Sequence, residues 1–376
     1  MAAIPAVARW PTALGPGSER AERPALTEGG ACPGAEGDAR RSSAAPVSVD
    51  VACRLPAGHT RGMTMPDANL SDEGFHHLAL LYRSSQEYLS TLLAFVRTGL
   101  ARAEPVFVAV PAAAGELLRD RLTPASGQVT FADMARMGLN PARIIPAVRT
   151  FVDAHPGRRI RYVGEPAWPA RSADELRETA RHEALVNPAF CDAQVTILCP
   201  YDVRALAPSV IADARRLHPV LLRRGEQQAS PEYPGPDLLP PAFDAPLPEP
   251  PPGAARLRYT ANLRPVRDVV ASHAAQAGLT PGRSTDLVLA VSEIAANTVR
   301  HTRNGGTLLV WRTPDCLICQ IHDQGRITDP LAGQRPPALD VLGGQGLWVV
   351  NQVCDLVEMR SGRTGTTVRL HMRRPA

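Results

Sequence analysis

Asp323 ends a strand-like run, 316–323, in which Leu317, Cys319 and Ile321 occupy alternate positions. A period of two places the Asp323 carboxylate on the apolar face of the run and points His322 to the other face. A buried carboxylate needs a hydrogen-bond donor, and an exocyclic amine such as that of adenine would supply one. Gly325 follows two residues later and would allow another molecule to approach the backbone. The alternative is that Asp323 only caps the end of a strand.

A glycine-rich run, 343–346, leads directly into an apolar helix that is predicted to begin at Leu347. Such a turn leaves backbone N–H groups free to bind phosphate, and the helix dipole adds to the attraction. Between Gly325 and this turn the chain has several prolines and no clear periodicity, over a length that suits a lid above a bound ligand. A glycine turn alone is weak evidence, so its meaning depends on the residues around it.

A third polar group lies on a predicted helix, 281–301. The core-facing arc of this helix is formed by four residues at helical spacing: Leu287, Val291, Ile294 and Thr298. Glu293 and Asn297 lie on a second arc and are four residues apart, so their side chains stack on one helix face. Considered alone, this pair is explained more simply as part of a solvent-exposed face.

The segment 256–372 contains the elements that must position these three groups. Helices are predicted at 263–277, 281–301 and 347–354, and strands at 307–312, 317–323, 356–360 and 366–372. Because the first two helices are separated in sequence from the paired strands, we predict an α+β sandwich with helices on one face of an antiparallel or mixed sheet.

Four motifs in this segment resemble those of a known family. They read EIAANTVRH at 293–301, DQG at 323–325, GQGL at 344–347 and GTTVR at 365–369. In this order and spacing they resemble the nucleotide-binding boxes of the Bergerat-fold (GHKL) ATPases, and within that group the bacterial anti-sigma-factor serine kinases. The resemblance covers nearly all of 256–372 and implies the Bergerat fold for this segment.

The resemblance also implies a role for each motif. Asn297 would coordinate Mg²⁺, and Asp323 would accept a hydrogen bond from the adenine amino group beside Gly325. Glu293 would act as the general base on the hydroxyl group of a partner serine, one helical turn from the Mg²⁺ ligand. The other residues that would bind ATP are Gly344, Gln345, Gly346, Leu347 and Thr366.

The residue pattern of the segment 71–224 predicts alternating helices and strands. Helices are expected at 87–100, 116–122, 142–154 and 205–217, with a further one opening at Ser172, and strands at 106–110, 129–131, 160–163 and 194–198. Ser172 and Glu175 fit a capping box. The alternation predicts an α/β domain with a mostly parallel sheet and helices on both faces.

Polar residues near the predicted strand ends of this segment are candidates for a ligand site, because the carboxyl ends of parallel strands share one rim. The candidates are His77 and Tyr82 ahead of the first predicted helix, together with Glu165, Cys199, Tyr201 and Asp202. They are equally explained as polar groups that terminate strands. None of these residues has the spacing of a known metal site.

The same segment resembles the MEDS sensory domain, a family found in front of such ATPase modules. The resemblance rests on Tyr82 and on the runs at 75–77, 140–141, 164–168, 181–185, 199–202 and 218–219. It implies that the segment senses a small molecule or another cue, and it brings no established reaction with it.

These patterns divide the chain into four parts. Residues 1–70, rich in Ala, Pro, Gly and Arg, are predicted to be a disordered tail. The sensory domain is expected at 71–224 and the ATPase domain at 253–376. Between them, 225–252 includes ten prolines from 231 onward and is predicted to be an extended linker.

The composition of the 376-residue chain excludes several functions. All 41 basic residues are Arg, and the absence of Lys excludes a Walker A loop, a eukaryotic-type kinase and Schiff-base chemistry. A net charge of +4 without a basic stripe argues against a nucleic-acid partner. No apolar run reaches the roughly 20 residues that span a bilayer, which argues against a membrane partner. Seven irregularly spaced cysteines argue against a disulfide framework, so a cytoplasmic location is expected.

The leading hypothesis is a signalling regulator that binds ATP and Mg²⁺ and phosphorylates a serine on an anti-sigma-factor antagonist under control of the sensory domain. The expected partners are a sigma factor, the antagonist protein or both, and a homodimer is left open. One alternative is a non-catalytic protein that binds its partner in an ATP-dependent way. Another is a two-component histidine kinase, which needs an exposed phospho-accepting histidine such as His273.

Overall fold

The computed structural model describes residues 74–223, 225–235, 243–335 and 345–375. The predicted tail at 1–70 and the predicted phosphate-binding residue Gly344 lie outside the described residues. Two β-sheets, one in each half of the described chain, organise the structure.

The first sheet has seven strands. They are β1 (His76–Tyr82), β2 (Val106–Val110), β3 (Val129–Asp133), β4 (Ile160–Gly164), β5 (Val195–Asp202), β6 (Val220–Arg223) and β7 (Glu226–Ala229). Their order is β3-β2-β4-β5-β1-β6-β7. Strands β1 to β6 pair in parallel, and β7 pairs with β6 in the antiparallel direction.

Helices cover both faces of this sheet. They are α1 (Ser85–Ala101), α2 (Ala112–Leu122), α3 (Met134–Met137), α4 (Ile144–Asp153), α5 (Ala173–Phe190) and α6 (Pro208–Leu217). Leu92 and Leu118 pack on one face from α1 and α2, and Val148 and Leu185 pack on the other from α4 and α5. The predicted α/β class is therefore confirmed. The capping box is also present, since Ser172 and Glu175 exchange side-chain to backbone hydrogen bonds of 3.2 and 2.8 Å at the start of α5.

The interior strand β1, between β5 and β6, differs from the sequence-based expectation, which places no strand ahead of the first helix. Residues 77–81 are buried on both faces of the sheet, so the run lacks the alternation that marks a half-buried strand. His77 and Tyr82 consequently lie within an interior strand of the sheet. The short edge strand β7 is also unexpected, and it falls inside the range predicted as linker.

The second sheet is antiparallel. Its strands are β8 (Ala255–Tyr259), β9 (Gly306–Arg312), β10 (Cys316–Asp323), β11 (Leu356–Gly362) and β12 (Gly365–Arg373), in the order β11-β12-β10-β9-β8. Helices α7 (Arg264–Gln276), α8 (Pro281–His301) and α9 (Gly346–Val353) pack on its apolar face, where Val266, Leu287 and Val350 join strand residues in one core. The predicted α+β sandwich is confirmed. The edge strand β8 is an addition; its exposed Arg256 and Arg258 alternate with Leu257 and Tyr259, a strand pattern that the sequence-based prediction did not use.

The opposite face of the second sheet is covered by α5 and by the Pro-rich segment 243–252. Arg360 on β11 lies 2.7 Å from Glu178 on α5, and its Nε donates to the carbonyl oxygen of Ala245 at 2.9 Å. Arg369 on β12 donates to the carbonyl oxygen of Pro248. The described part of the predicted linker is therefore packed against the sheet. No helix within the described residues is long and apolar enough to cross a bilayer.

Candidate functional site

Two hydrogen bonds hold the Asp323 carboxylate at the end of β10. Its Oδ2 accepts from Thr298 Oγ1 at 2.6 Å, and its Oδ1 accepts from the backbone N–H of Gly325 at 2.7 Å. Thr298 is only 1% exposed on α8, so the first bond joins the long helix to the sheet. Each carboxylate oxygen has a further lone pair, so Asp323 can still accept a hydrogen bond from a ligand.

Two glycines lie beside Asp323 at positions where a side chain would clash with it. A Cβ atom at Gly325 would lie 3.0 Å from Asp323 Oδ1, and one at Gly365, where φ is +121°, would overlap the backbone carbonyl of Asp323. Thr366 on β12 closes the arrangement, since its hydroxyl donates to the carbonyl oxygen of Gly325 at 2.8 Å. Asp323, Gly325, Gly365 and Thr366 thus lie together at the strand ends, and we call this arrangement the Asp323 cradle.

Glu293 and Asn297 lie half-buried on α8 and face the first turn of α9. A Cβ atom at Gly346 would lie 2.7 Å from Glu293 Oε2 and 3.4 Å from Asn297 Nδ2, so only glycine fits there without a shift. Arg300 donates a long hydrogen bond of 3.4 Å to Asn297 Oδ1. The fold therefore brings the carboxylate, the amide and the N-terminus of α9 together.

The other residues expected to bind ATP lie at the same helix start. Gln345 is the exposed residue that precedes α9, and Leu347 is partly buried against the apolar core of this half of the molecule. Thr298 and Ser361 were not among the sequence-based candidates. Thr298 has the spacing of a core residue, and Ser361 reaches the site only because β11 pairs with β12, which places its hydroxyl 2.8 Å from that of Thr366.

The groups present fit an adenine nucleotide with Mg²⁺. Asp323 offers a half-buried acceptor to an exocyclic amine, and Gly325 beside it carries no side chain. The N-terminus of α9 offers backbone N–H groups and a favourable dipole to phosphate. The amide oxygen of Asn297 and the Glu293 carboxylate belong to the class of hard oxygen ligands that Mg²⁺ prefers.

In the first half of the chain, three of the ligand-site candidates lie at the rim of the sheet. Tyr82 and Asp202 are paired residues at the ends of β1 and β5, and Glu165 directly follows β4. Tyr88 and Tyr82 donate to the two Glu165 oxygens at 2.7 and 3.5 Å. Burial raises the pKa of Glu165 from 4.5 to about 7 against the opposing effect of these two hydrogen bonds, with a further rise from Asp202.

We expect Glu165 to make folding stability fall between about pH 4.5 and about pH 7. The folded state holds the Glu165 proton more tightly than the unfolded chain does, so this contribution is complete below the unfolded pKa and is lost as the pH passes the folded pKa. The loss should be roughly 3 kcal/mol, and the E165Q variant should not show it. Urea unfolding of both proteins across this range measures the difference. Parallel pH profiles would contradict the expectation.

The other three candidates, His77, Cys199 and Tyr201, are buried below the rim, on the sheet face that α4, α5 and α6 cover. Two unselected residues, Glu183 on α5 and His218 after α6, lie with them. Both occur in the runs that carry the family resemblance, at 181–185 and 218–219. Their distance from His77 along the chain conceals the contact, which depends on the pairing of β1 with β5 and on the packing of α5 over both strands.

Comparison with known families divides the chain into the same two halves as the two β-sheets do. A family model described as "MEDS: MEthanogen/methylotroph, DcmR Sensory domain" matches residues 76–219, and a model described as "Histidine kinase-like ATPase domain" matches residues 257–372. A search of curated proteins found no match. The Asp323 site lies in the second matched range, and Glu165 and the buried histidines lie in the first.

Proposed function

Because the chain joins a MEDS sensory domain to a histidine kinase-like ATPase domain, the combination expected of a signalling kinase, we propose that it is a kinase of this kind. In this proposal it transfers the γ-phosphoryl group of ATP to a serine of an anti-sigma-factor antagonist, and the sensory domain controls the transfer. The observation that carries the proposal is the Asp323 carboxylate, oriented by Thr298 and Gly325 in a cradle lined by glycine.

Three side chains have distinct tasks in this proposal. Asp323 accepts the adenine amino hydrogen, which selects the base. Asn297 holds Mg²⁺, which supplies positive charge to the phosphates when it is bound. Glu293, one helical turn away, takes the proton of the attacking serine hydroxyl.

Helix α9 supports the proposed control because each of its ends contacts a different functional part. Its first residue, Gly346, packs on Glu293. At its other end, Arg143 of the sensory domain donates to the carbonyl oxygens of Asn351 and Cys354 at 2.7 and 2.6 Å. A guanidinium group there also interacts favourably with the helix dipole. A change in the sensory domain that displaces Arg143 would therefore act on the helix that begins at the phosphate site.

The segment after Gly325 also supports control of the nucleotide site by the sensory domain. Leu331 is buried within the apolar cluster of the sensory domain, and the carbonyl oxygen of Gly333 accepts from Asn351 Nδ2 at 2.9 Å. The described half of the predicted lid, 326–335, is thus held between the sensory domain and α9. A lid in this position can respond both to the sensed cue and to the nucleotide.

We expect the D323N variant to bind ATP about 5- to 150-fold more weakly than the wild type. The substitution removes the negative charge and turns one of the two acceptor oxygens into an N–H donor, which weakens the hydrogen bond to the adenine amine at a cost of about 1–3 kcal/mol. Calorimetric titration measures the affinity, and inosine triphosphate, which lacks the amine, should show a much smaller change. The D315N variant, in an exposed turn between β9 and β10, is the control. Equal ATP affinity of D323N and D315N would contradict the assignment.

Transfer itself is tested with labelled ATP, the full chain and candidate antagonist domains. Acid-stable label on a partner serine, absent with D323N, is the expected result. Tight ATP binding without transfer, together with a co-purifying sigma factor, would favour the non-catalytic alternative. Acid-labile label on the chain would favour a histidine kinase. His273, its candidate acceptor, is half-buried on α7 with Nδ1 2.8 Å from the carbonyl oxygen of Val269.

A further inference from the structure

Four buried side chains of the sensory domain converge on one point. They are His77 on β1, Glu183 on α5, Cys199 on β5 and His218 after α6, and none is more than 3% exposed. Their donor atoms lie within 4.8 Å of one another. We call this group the His–Glu–Cys cluster. No step of the proposed phosphoryl transfer uses it.

The hydrogen bonds around both histidines fix where each ring can carry its proton. His218 Nδ1 lies 2.7 Å from the carbonyl oxygen of Ala214. His77 Nδ1 lies 3.2 Å from Asn187 Oδ1, and Asn187 is oriented by donating its own amide hydrogen to the carbonyl oxygen of Leu217. Since both Nδ1 atoms face acceptors, both carry hydrogen in the neutral ring, and each Nε2 presents a lone pair.

Both Nε2 lone pairs point at the same carboxylate oxygen. Glu183 Oε2 lies 3.1 Å from Nε2 of His77 and 3.2 Å from Nε2 of His218. Among the described residues, His218 Nε2 and Glu183 Oε1 have no hydrogen-bond partner of their own although both atoms are buried. With both rings in these neutral tautomers, two nitrogen lone pairs and a carboxylate oxygen face one another and repel, and the Cys199 thiol offers that oxygen only a weak hydrogen bond of 3.7 Å. A cation at the centre, either a metal ion or a shared proton, relieves this repulsion.

We propose that the His–Glu–Cys cluster binds one divalent transition-metal ion of the zinc type. Bonds of about 2.0–2.3 Å to nitrogen, oxygen and sulfur in a tetrahedron place neighbouring ligand atoms about 3.3–3.7 Å apart. The two nitrogen to oxygen separations are 3.1 and 3.2 Å, and Cys199 Sγ lies 3.5 Å from His77 Nε2 and 3.7 Å from Glu183 Oε2. The Cys199 thiol releases its proton to solvent when the metal–sulfur bond forms.

The surrounding groups fit this assignment. Metal-binding histidines commonly donate their second ring N–H to a carbonyl or amide oxygen, which is the position that Ala214 and Asn187 occupy here. With four protein ligands the site is closed, as structural zinc sites are. The bound ion ties β1, β5 and α5 together at the centre of the sensory domain.

The test uses the untagged full chain, purified without chelator and then loaded with Zn²⁺ or Co²⁺ before desalting. Elemental analysis should find one zinc per chain, and zinc-edge X-ray absorption should show one sulfur ligand with nitrogen and oxygen ligands. The cobalt form should show the ligand-field bands of a tetrahedral site and a thiolate-to-cobalt charge-transfer band. A strong chelator should lower the unfolding temperature of the zinc form.

Two variants separate the site from adventitious binding. C199S should lose the charge-transfer band, while H155Q, which changes a histidine on the α4 side outside the cluster, should keep both spectra and the bound metal. If the folded wild-type chain retains neither metal after loading, the proposal is wrong and the cluster is held by protons alone. Bound metal without a sulfur ligand would likewise overturn the four-residue site. The absorption measurements on the wild type decide this even if C199S fails to fold.

Discussion

Replacing Glu293 with Gln is expected to slow phosphoryl transfer to the partner serine by about 10²- to 10⁴-fold, the usual contribution of a general base. Glutamine has nearly the same shape but cannot take a proton. Because Glu293 Oε2 packs where a side chain on Gly346 would lie, an isosteric replacement avoids a clash with the start of α9. ATP affinity should therefore stay unchanged while the transfer rate falls.

The measurement is single-turnover transfer from labelled ATP, accompanied by a calorimetric titration with ATP. The matched control is D286N, which removes an acid from the same arc of α8 two turns earlier. A wild-type rate in E293Q would remove Glu293 from the chemistry. An equal loss of rate and of ATP affinity would assign it to nucleotide binding instead.

Replacing Arg360 with Ala is expected to lower the free energy of unfolding by about 3–5 kcal/mol, because it leaves a buried charge without its partner. Arg360 is 8% exposed on β11, and its guanidinium lies 2.7 Å from the carboxylate of Glu178 in the sensory domain, a residue that is 6% exposed. The same side chain also bonds the carbonyl oxygens of Ala245 and Met359. Burial already raises the pKa of Glu178, so loss of the cation favours its protonated form further.

Urea unfolding of the full chain measures this effect, and R363A in the exposed turn between β11 and β12 is the control. The double variant E178Q/R360M removes both charges and should recover most of the lost stability, since no unpaired ion is left. A loss in R360A no larger than that in R363A would show that the ion pair between the two domains is unimportant. Failure of the double variant to recover would assign the loss to the backbone contacts of Arg360.

Strong periodicity made part of the fold predictable. The helix predicted at 281–301 is observed as Pro281–His301, because its apolar residues repeat at helical spacing and Thr280 caps its start. The strand β1 gives no such signal, since it is buried on both sides and its apolar run has no alternation. The edge strand β8 does carry this alternation, but over only five residues, and it was not predicted.

The candidate nucleotide site was predictable for a related reason. Glu293 and Asn297 share a face by helical spacing, and Asp323 and Gly325 are two residues apart, so local geometry already places each pair together. The spacing does not reveal that Thr298 orients Asp323, because that bond forms between α8 and β10. The roles of these residues in binding and transfer stay predictions until the variants above are measured.

The order and chemistry of the nucleotide-binding motifs, the two fold classes and the exclusion of lysine-dependent mechanisms follow from the amino-acid sequence, because they depend on residue type and local period. The tertiary structure alone decided that the sensory domain binds the C-terminal end of α9 through Arg143, and that His77, Glu183, Cys199 and His218 share one buried point. The physical reason is the same in both cases. Residues that are distant along the chain become neighbours only when strand order and helix packing bring them together, and no local period encodes that order.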